Sequence, residues 1–271
     1  MTAIKQLPQL AQEIRRTTIK LLYQAQSGHP GSSLSIIDLI TSLYFSQFFN
    51  HQPKKPHWPG RDYFLLSNGH AAPGFYSLLA HVGYYPLSQL KGLRQINTPL
   101  HGHPKRNTFP GIEASSGSLG QNLSVGLGIA LGLKLKRQAN KVWVMTSDGE
   151  QQEGSTWEAV MLAPKYKLNN LIAIVDKNLC QINDYTKNIM PTLNTLADKY
   201  KAFGWQTLTI DGHDFNQIIP AYQKALKSSQ PTVIIANTII GKGVSFMEGD
   251  YHWHHGNLTD EQYQQALKDL A

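Results

Sequence analysis

Two polar side chains that suit a divalent cation each follow an apolar segment of this chain. Asp148 comes shortly after the apolar residues 142–145, and Asn178 comes shortly after 171–175. A helix predicted between the two segments makes this a βαβ unit, and the parallel strands of such a unit end side by side. Carboxylate and amide oxygens are ligands that Mg²⁺ accepts, and Mg²⁺ commonly shares them with phosphate groups. The spacing therefore predicts a magnesium–diphosphate site.

The predicted helix of this unit begins at Ser155, where its amino end would favour an anion beside the cation. Glu158 stands at the offset of a capping box, which supports a helix start at this point. The N–H groups and the dipole of a helix amino terminus attract phosphate. An Asp-Gly pair after a strand often forms only a turn, however. Other motifs are therefore needed to distinguish a cofactor site from a simple turn.

Strands and helices alternate along most of the chain. Apolar segments predict strands at 63–66, 142–145 and 171–175, and the segments 205–210 and 232–236 continue the alternation of strands with helices. Helical spacing predicts helices within 4–22, 34–48, 71–79, 123–136, 155–166 and 215–228. This alternation is typical of a doubly wound α/β fold, and no linker divides the single predicted domain, 1–271. The segment 100–120, rich in His, Gly, Pro and Ser, is predicted to be a long functional loop.

Composition excludes several classes of protein. With 41% hydrophobic and 16% charged residues, the 271-residue chain has the composition of a globular protein. No segment approaches the roughly 20 apolar residues that span a bilayer. Charged residues interrupt the first periodic stretch, which favours an amphipathic helix over a signal peptide. Together with the single cysteine, Cys180, this predicts a cytoplasmic protein. The formal charge of +7 comes from scattered Lys and Arg, which favours a basic surface around phosphorylated ligands over nucleic-acid binding.

Several motifs, in order, resemble the transketolase family over nearly the whole chain. The most specific is Asp148-Gly149 through Asn178, with Glu153-Gly154 between them, which is similar to the thiamine diphosphate motif of that family. The other matching motifs are SGHPGSSLSIIDLI (27–40), RDYFLLSNGHAAPGFYSLLAHVGY (61–84), HGHP (101–104), PGIEASSGSLGQNLSVGLGIALG (110–132), DGHD (211–214), PTVIIANTIIGKGVSFME (231–248) and His255-Gly256. The resemblance implies a three-layer, doubly wound, mostly parallel sheet, the diphosphate-binding domain of the thiamine-diphosphate-binding fold.

The resemblance implies thiamine diphosphate and Mg²⁺ as cofactors. Asp148 and Asn178 would bind the metal through their side chains, and Cys180 through its backbone carbonyl, which makes its thiol incidental. Glu153 resembles an interface glutamate that helps communication between sites across a dimer. The cofactor-binding set implied by the family consists of His70, Gly117, Ser118, Leu119, Gly149, Glu153 and Asn178.

Four of the 11 histidines match functional positions of the family. His70 would bind near the diphosphate. The three implied catalytic histidines are His29 and His255, beside the reactive ring of the cofactor and the substrate, and His103, on the hydroxyl groups of the donor sugar. Imidazole suits these tasks because it donates and accepts protons near neutral pH. Six others are interpreted as structural or merely exposed: His51, His57, His81, His101, His252 and His254, although His254 could take the place of His255.

The implied reaction is the transfer of a two-carbon ketol unit from a ketose, or ketose phosphate, to an aldose. In the family, a glutamate of a second, pyrimidine-binding domain activates the cofactor, and that domain also grips the substrate phosphate. We expect both the pyrimidine-binding and the C-terminal domain on a partner chain, in an α₂β₂ assembly, because this sequence resembles two-chain transketolases. We expect no activity from this chain alone, and no nucleic-acid or membrane partner.

Three positions depart from the family pattern. Ser147 stands where the family has the first glycine of Gly-Asp-Gly, and would be strained if that position required a positive φ. Asn122 stands where the family has the last glycine of Gly-Gln-Gly, and asparagine tolerates left-handed geometry. Pro164 falls inside the predicted helix 155–166 and should end or kink it. These departures favour a specialised enzyme over a housekeeping one.

Two other functions remain open from the sequence. The chain could serve a thiamine enzyme that transfers an acyl or acetaldehyde unit from a 2-oxo acid such as pyruvate. The three implied catalytic histidines favour a sugar-like donor instead. The chain could also be a non-catalytic, cofactor-holding or regulatory subunit, but Asp148 and Asn178 argue against that role.

Overall fold

The computed structural model describes residues 4–271, so the first three residues of the predicted domain 1–271 lie outside the described part. The helices are α1 (Leu7–Ala25), α2 (Pro30–Ser35), α3 (Ile37–Tyr44), α4 (Ala72–Val82), α5 (Gln121–Leu135), α6 (Gly154–Lys165), α7 (Thr186–Ile189), α8 (Leu196–Ala202), α9 (Phe215–Lys227) and α10 (Asp260–Asp269). The strands are β1 (Tyr63–Leu66), β2 (Val142–Ser147), β3 (Leu171–Lys177), β4 (Gln206–Asp211) and β5 (Thr232–Asn237).

All five strands are parallel and form one sheet in the order β1-β2-β3-β5-β4. Because every strand runs in the same direction, all their carboxyl ends lie at one edge. In the register of β2 and β3, Ser147 pairs with Asp176. The residues that follow these two strands therefore begin next to each other.

Apolar side chains of the strands point alternately to the two faces of the sheet, and each face is covered by helices. Trp143 and Ile174 belong to the core under α1, α3, α4 and α9. Val144 and Val175 belong to the core under α5, α6 and α8. Burial on both faces explains why the central strands β2 and β3 are largely apolar. The three-layer, doubly wound fold with a parallel sheet is confirmed.

The predicted strands all form, whereas the predicted helix 34–48 was wrong in its bounds. Two helices occupy this region, α2 and α3, separated at Ile36, and the second ends at Tyr44. Every residue from 30 to 44 is buried. Helical periodicity detects only a helix with one exposed face, so it carried no information about the break.

The last helix, α10, was not predicted, although the sequence contains its start signal. The Thr259 side chain accepts from the Gln262 backbone, and the Gln262 side chain accepts from the Thr259 backbone, which together form a capping box. The helix packs on α1 through a separate apolar cluster that includes Ile19 and Leu270. Over residues 4–271, none of the helices combines the length and the apolar character that crossing a membrane requires.

Candidate cofactor and metal site

Asp148 and Asn178, the pair predicted from spacing, lie in one cavity at the carboxyl ends of β2 and β3. The cavity has a volume of about 290 Å³. Both side chains are almost completely buried. Further lining residues are Ser32, His70, Leu119, Ser147, Gly149, Gln152, Glu153, Cys180, Gln181, Ile182 and His254. A larger cavity, of about 570 Å³, lies against α5 but includes neither Asp148 nor Asn178 in its lining.

Hydrogen bonds fix the carboxylate of Asp148. Its Oδ1 accepts from the backbone N–H of Gly149 at 2.9 Å. Its Oδ2 accepts from the backbone N–H of Leu179 at 3.0 Å and from the hydroxyl of Thr186 at 3.1 Å. Burial and the neighbouring Asp176 nevertheless raise the pKa of Asp148 to about 7. A divalent cation beside this carboxylate would supply the opposite charge that it lacks.

The amide of Asn178 has a fixed orientation as well. Its Nδ2 donates to Oδ2 of Asp176 at 3.0 Å, and its Oδ1 accepts from the backbone N–H of Cys180 at 3.1 Å. The amide oxygen keeps a second lone pair for a cation. Burial, followed by the nearby Asp148, raises the pKa of the Cys180 thiol to about 12, so the thiol stays protonated near neutral pH.

Glu150, a residue that the sequence reasoning missed, joins the long loop to the tips of two strands. Its Oε1 accepts from the backbone N–H of Gly120 at 2.9 Å and from the hydroxyl of Ser67. Its Oε2 accepts from the backbone N–H of Ser147 at 3.0 Å. Burial raises the pKa of this carboxyl to about 7 despite its three donors. Its position directly after Asp148-Gly149 was the available signal.

Two glycines allow the long loop to approach its neighbours. Gly120 has φ +76°, and a Cβ added there would lie 2.5 Å from Cβ of Glu153. Gly117 has φ +128° and lies beside the ring of His103. Both positions have backbone conformations that favour glycine. The loop is thus positioned against the first turn of α6 and against one of the predicted catalytic histidines.

All four predicted functional histidines are close together, and His29 is at the centre of the cluster. The centroid of its ring lies 5.2 Å from that of His70, 6.1 Å from His103 and 4.9 Å from His255. His254 joins them, with its ring 5.5 Å from that of His29. Its interpretation as structural or merely exposed stays untested, but it lines the cavity of Asp148 and Asn178, whereas His29, His103 and His255 do not.

Backbone contacts bring the distant ends of this cluster together. The N–H of Gly256 donates to the carbonyl of Gly28 at 3.2 Å. At Gly31, an added Cβ would lie 2.7 Å from the carbonyl oxygen of Trp253. The segment 251–256 therefore packs directly on the turn that carries His29, and only glycine fits at this contact.

Burial keeps the central histidines neutral near neutral pH. Burial and then the neighbouring His70 and His254 lower the pKa of His29 to about 2. Burial, His254 and His103 lower the pKa of His70 to about 3. Each neutral imidazole has one donor and one acceptor nitrogen, so these rings can both give and receive hydrogen bonds.

The structure also places the remaining predicted residues. Leu119, Gly149 and Glu153 line the cavity, whereas Gly117 and Ser118 do not line it and lie in the adjoining loop. Glu153 is exposed at the start of α6. Cys180 lines the cavity next to Asn178.

The departures from the family pattern cause no backbone strain. Ser147 is the last residue of β2, and it is not one of the described residues that have a positive φ. The backbone strain expected for a positive φ at this position is therefore not present. Asn122 lies within α5, so the left-handed interpretation was wrong. Its Nδ2 instead donates to the carbonyl of Ser115 at 3.1 Å. Pro164 lies one residue before the end of α6, as expected of a proline that terminates a helix.

Unpaired buried atoms around the cavity fit a polar ligand. Both side-chain polar atoms of Asn68, the Nε2 of Gln181 and the Nδ1 of His254 have no hydrogen-bond partner among the described residues. Gln181 and His254 line the cavity, and Asn68 precedes the turn of His70. Leaving such atoms unpaired costs about 1–3 kcal/mol each, which a bound ligand with both donor and acceptor groups could offset. Within residues 4–271, no group of three His, Cys, Asp or Glu side chains could hold a metal, so amide and carbonyl oxygens would have to complete the ligand set.

Comparisons with known proteins agree with this geometry. A family model described as "Transketolase, thiamine diphosphate binding domain" matches residues 7–271. A 6-deoxy-6-sulfo-D-fructose transketolase subunit of Clostridium sp. (strain MSTE9) is 40% identical over 261 residues, which cover 96% of this chain and 94% of the relative. A subunit of the apulose-4-phosphate transketolase of Phocaeicola vulgatus is 38% identical, covering 95% of this chain and 91% of the relative.

A solved transketolase structure is similar to this chain over almost its whole length. The transketolase of Campylobacter jejuni superposes with a TM-score of 0.92 at 33% identity. The match covers 99% of this chain but only 43% of that enzyme. The chain belongs to the transketolase family and corresponds to its thiamine-diphosphate-binding domain. The resemblance found in the motifs is thereby confirmed, as is the expectation of a thiamine-diphosphate-dependent transferase subunit of transketolase type.

Proposed function

We propose that this chain is the thiamine-diphosphate- and Mg²⁺-binding subunit of a two-subunit transketolase. The enzyme would transfer a two-carbon ketol unit from a ketose or its phosphate to an aldose or its phosphate. One observation carries this proposal: Asp148 and Asn178 line the same cavity as His70, at the ends of neighbouring parallel strands. The names of two relatives, both transketolase subunits, support the reaction class.

The residues that would hold the cation are Asp148 and Asn178, through side-chain oxygens, and Cys180, through its backbone carbonyl. Three oxygens of this kind leave room in an octahedral shell for the oxygens of a diphosphate and for water. Gly149 would give the diphosphate a close approach to the backbone, and Leu119 would contact the cofactor from the long loop. The proposed cofactor set also includes Gly117, Ser118 and Glu153, as the family resemblance implies.

The predicted catalytic histidines would position the substrate. When bound, thiamine diphosphate supplies the electron sink for breaking the carbon–carbon bond beside a ketose carbonyl. The ring of His29 contacts those of His103 and His255, and it also lies 5.2 Å from the ring of His70, which lines the cofactor cavity. Imidazoles at these positions would hydrogen-bond the hydroxyl groups of the sugar and move protons at those oxygens.

The partner would be a second transketolase-type chain with the pyrimidine-binding and C-terminal domains. This proposal is supported by the 43% share of the C. jejuni enzyme that this chain covers and by the word "subunit" in the names of its relatives. We further propose an α₂β₂ assembly, with residues 1–271 as a single domain in each copy. A cytoplasmic location stays a prediction from the amphipathic first helix and the single cysteine.

Calorimetric titration with thiamine diphosphate, with and without Mg²⁺, tests the site directly. The chain, mixed with its partner subunit, should bind the cofactor only when Mg²⁺ is present. Asp148→Ala should weaken binding by more than 100-fold, because it removes the only proposed carboxylate ligand. A matched control is Asp198→Ala, which removes an exposed carboxylate on α8. Equal binding by the Asp148 variant and the wild type would refute the proposed metal site.

The donor substrate separates the transketolase from its alternatives. With an aldose phosphate present as acceptor of the two-carbon unit, the assembled pair should consume xylulose 5-phosphate and release an aldose phosphate two carbons shorter, and it should not turn over pyruvate. Preference for pyruvate would establish the acyl- or acetaldehyde-transferring alternative. Full activity of a complex containing Asp148→Ala would instead establish a non-catalytic role for this chain.

A further inference from the structure

Arg94 lies between two turns that each carry a predicted catalytic histidine. Its Nη1 donates to the hydroxyl of Ser27, two residues before His29, at 3.1 Å. Its guanidinium also lies against Gly102, the residue before His103, because a Cβ added to Gly102 would be 2.6 Å from Nε and 2.7 Å from Cζ of Arg94. One side chain therefore contacts both histidine-bearing turns, which are distant along the chain.

The position of the Arg94 side chain is fixed by backbone contacts. The N–H of Arg94 donates to the carbonyl of Leu100 at 2.9 Å, and Arg94 has φ +59°. A residue other than glycine adopts this left-handed conformation uncommonly, and such conformations are concentrated at functional sites. The hydroxyl of Tyr76 donates to the carbonyl of His101 at 3.0 Å, which fixes the turn 101–103 from α4. The guanidinium thus has one defined place against this turn.

The positive charge of Arg94 is not balanced by a carboxylate. Within residues 4–271, Arg94 forms no ion pair, and its buried Nε has no hydrogen-bond partner. Charged side chains withdrawn from water are usually paired. Burial, followed by the charge of Arg94, lowers the pKa of His103. At His29, burial and the neighbouring histidines are the larger causes of the lowered pKa, and the charge of Arg94 adds to them.

No negative group opposes this effect at the two rings. The ring of His103 faces that of His29, and the ring of His29 also faces those of His70, His254 and His255. Among the groups of residues 4–271 that act most strongly on the pKa of His29 or His103, none is a carboxylate. A neutral imidazole can accept a hydrogen bond from a sugar hydroxyl, whereas a protonated imidazole can only donate. The charge of Arg94 therefore favours the accepting form.

We propose that Arg94 is a positioning residue for the donor ketose, which joins the turn 27–29 to the turn 101–103 and keeps the imidazole of His103 able to accept from a sugar hydroxyl. This inference rests on the proposed function, because it assigns a role on the substrate side of the same site. Arg94 does not line the cavity of Asp148 and Asn178, so we expect it to act on the substrate and not on cofactor binding.

Histidine NMR of the isotope-labelled chain measures the effect of Arg94 without substrate or cofactor. In Arg94→Met, the pKa of the His103 imidazole should rise, because the neighbouring positive charge is gone. His103→Gln identifies the signal. The matched control is Arg137→Met, since Arg137 is exposed and also has a positive φ. The control should leave the titration of His103 unchanged, and an equal His103 pKa in Arg94→Met and the wild type would overturn the inference.

Donor kinetics of the assembled enzyme, with the aldose phosphate acceptor at saturation, give the second readout. Arg94→Met should raise KM for xylulose 5-phosphate by about 10-fold or more, because a small displacement of positioning groups strongly weakens productive binding. The acidic limb of the pH profile of kcat/KM should also move to higher pH. Ser27→Ala should raise KM without moving this limb, because the charge of Arg94 remains. Arg94→Lys keeps the charge and should likewise leave the limb in place.

Binding of thiamine diphosphate with Mg²⁺ separates this inference from the proposed function. All these variants should bind the cofactor with the affinity of the wild type. A wild-type KM and acidic limb in Arg94→Met would overturn the inference and leave the proposed function intact. A rise in KM accompanied by loss of cofactor binding would also overturn it, because that pattern indicates general damage to the fold. A wild-type complex that neither binds thiamine diphosphate nor transfers a ketol unit would refute the proposed function itself.

Discussion

The side-chain amide of Asn178 donates from Nδ2 to Oδ2 of Asp176 at 3.0 Å, across the last residues of β3. Asp176 is completely buried, and it also accepts from the hydroxyls of Ser35, at 2.7 Å, and Thr238. The carboxylate therefore orients the amide, so that the oxygen of Asn178 is available to a cation. Asp176 acts through Asn178 and is a positioning residue.

Asp176→Asn should weaken Mg²⁺-dependent binding of thiamine diphosphate by about 10- to 100-fold, the usual effect of losing the partner that orients a metal ligand. The substitution keeps the volume but turns one acceptor oxygen into a donor. Calorimetry at several Mg²⁺ concentrations gives the readout, because a defect in metal binding is partly rescued by more Mg²⁺. An unchanged Mg²⁺ dependence would show that Asn178 needs no such partner. Asp211→Asn, at the end of the edge strand β4, is the control.

Glu150→Ala should lower the free energy of unfolding by about 3 kcal/mol or more, because it leaves three buried donors without an acceptor. Two of these are the N–H groups of Gly120 and Ser147. Glu150→Gln keeps one acceptor oxygen and should lower the free energy of unfolding by a smaller amount. Denaturant titration measures both, with the exposed Glu158→Gln on α6 as control. Equal stability of Glu150→Ala and the wild type would contradict the role assigned to this carboxylate.

Gly120→Ala should lower the free energy of unfolding by about 1–2 kcal/mol from the positive φ alone. The clash with Cβ of Glu153 adds to this loss, and cofactor affinity should fall because the loop shifts. Gly128→Ala is a matched control, since nothing lies within 4 Å of its added Cβ in the exposed part of α5. That variant should gain about 0.5–1 kcal/mol from helix propensity. Thermal melts of the two variants should therefore shift in opposite directions.

The buried pair of Asp38 and Arg15 joins α1 to α3, and His213 joins the pair from the turn after β4. Arg15 contacts Asp38 at 2.6 Å, and Nδ1 of His213 lies 2.7 Å from the same oxygen. Burial disfavours the carboxylate, but Arg15 and His213 outweigh it and lower the pKa of Asp38 below 3.8. A lowered carboxyl pKa adds stability above pH 3.8, which is lost as the pH falls through the folded pKa.

Asp38→Asn should therefore cost about 3–5 kcal/mol near pH 7, because Arg15 is left buried without its counter-charge. The difference in the free energy of unfolding between this variant and the wild type should shrink as the pH falls below 3.8. Denaturant titration at pH 7 and at pH 3 measures it. A difference that stays constant between the two pH values would contradict an ionised Asp38.

His70 should make the folded protein less stable in mild acid. Its pKa is about 3 in the folded protein against 6.5 for an ordinary histidine, so only the unfolded chain takes up this proton between those values. Stability is fully present above pH 6.5 and falls below it, by about 2 kcal/mol at pH 5 for this one group. Stability measured against pH should fall less steeply for His70→Asn than for the wild type. Parallel curves for the two proteins would show that the folded state binds the proton too.

Much of the fold follows from local sequence. Strands β1, β2, β3 and β5 appeared as largely apolar runs, because a strand buried on both faces needs apolar residues throughout. The edge strand β4 is only partly buried. The metal pair also came from local information, since Asp148 and Asn178 follow consecutive strands of one βαβ unit. The break at Ile36 could not be predicted, because a fully buried segment has no polar face to mark its helices.

The amino-acid sequence by itself determined the α/β class, the family and most of the residues of the candidate site, because these depend on residue types and their order along the chain. Only the tertiary structure decided which histidines face the cavity, how Glu150 joins the long loop to β2, and how Asp176 orients Asn178. His254 and His255 are adjacent in sequence and differ only in the direction that their rings take. That direction is set by contacts with Gly28 and Gly31, more than 200 residues away along the chain, and no local pattern records it.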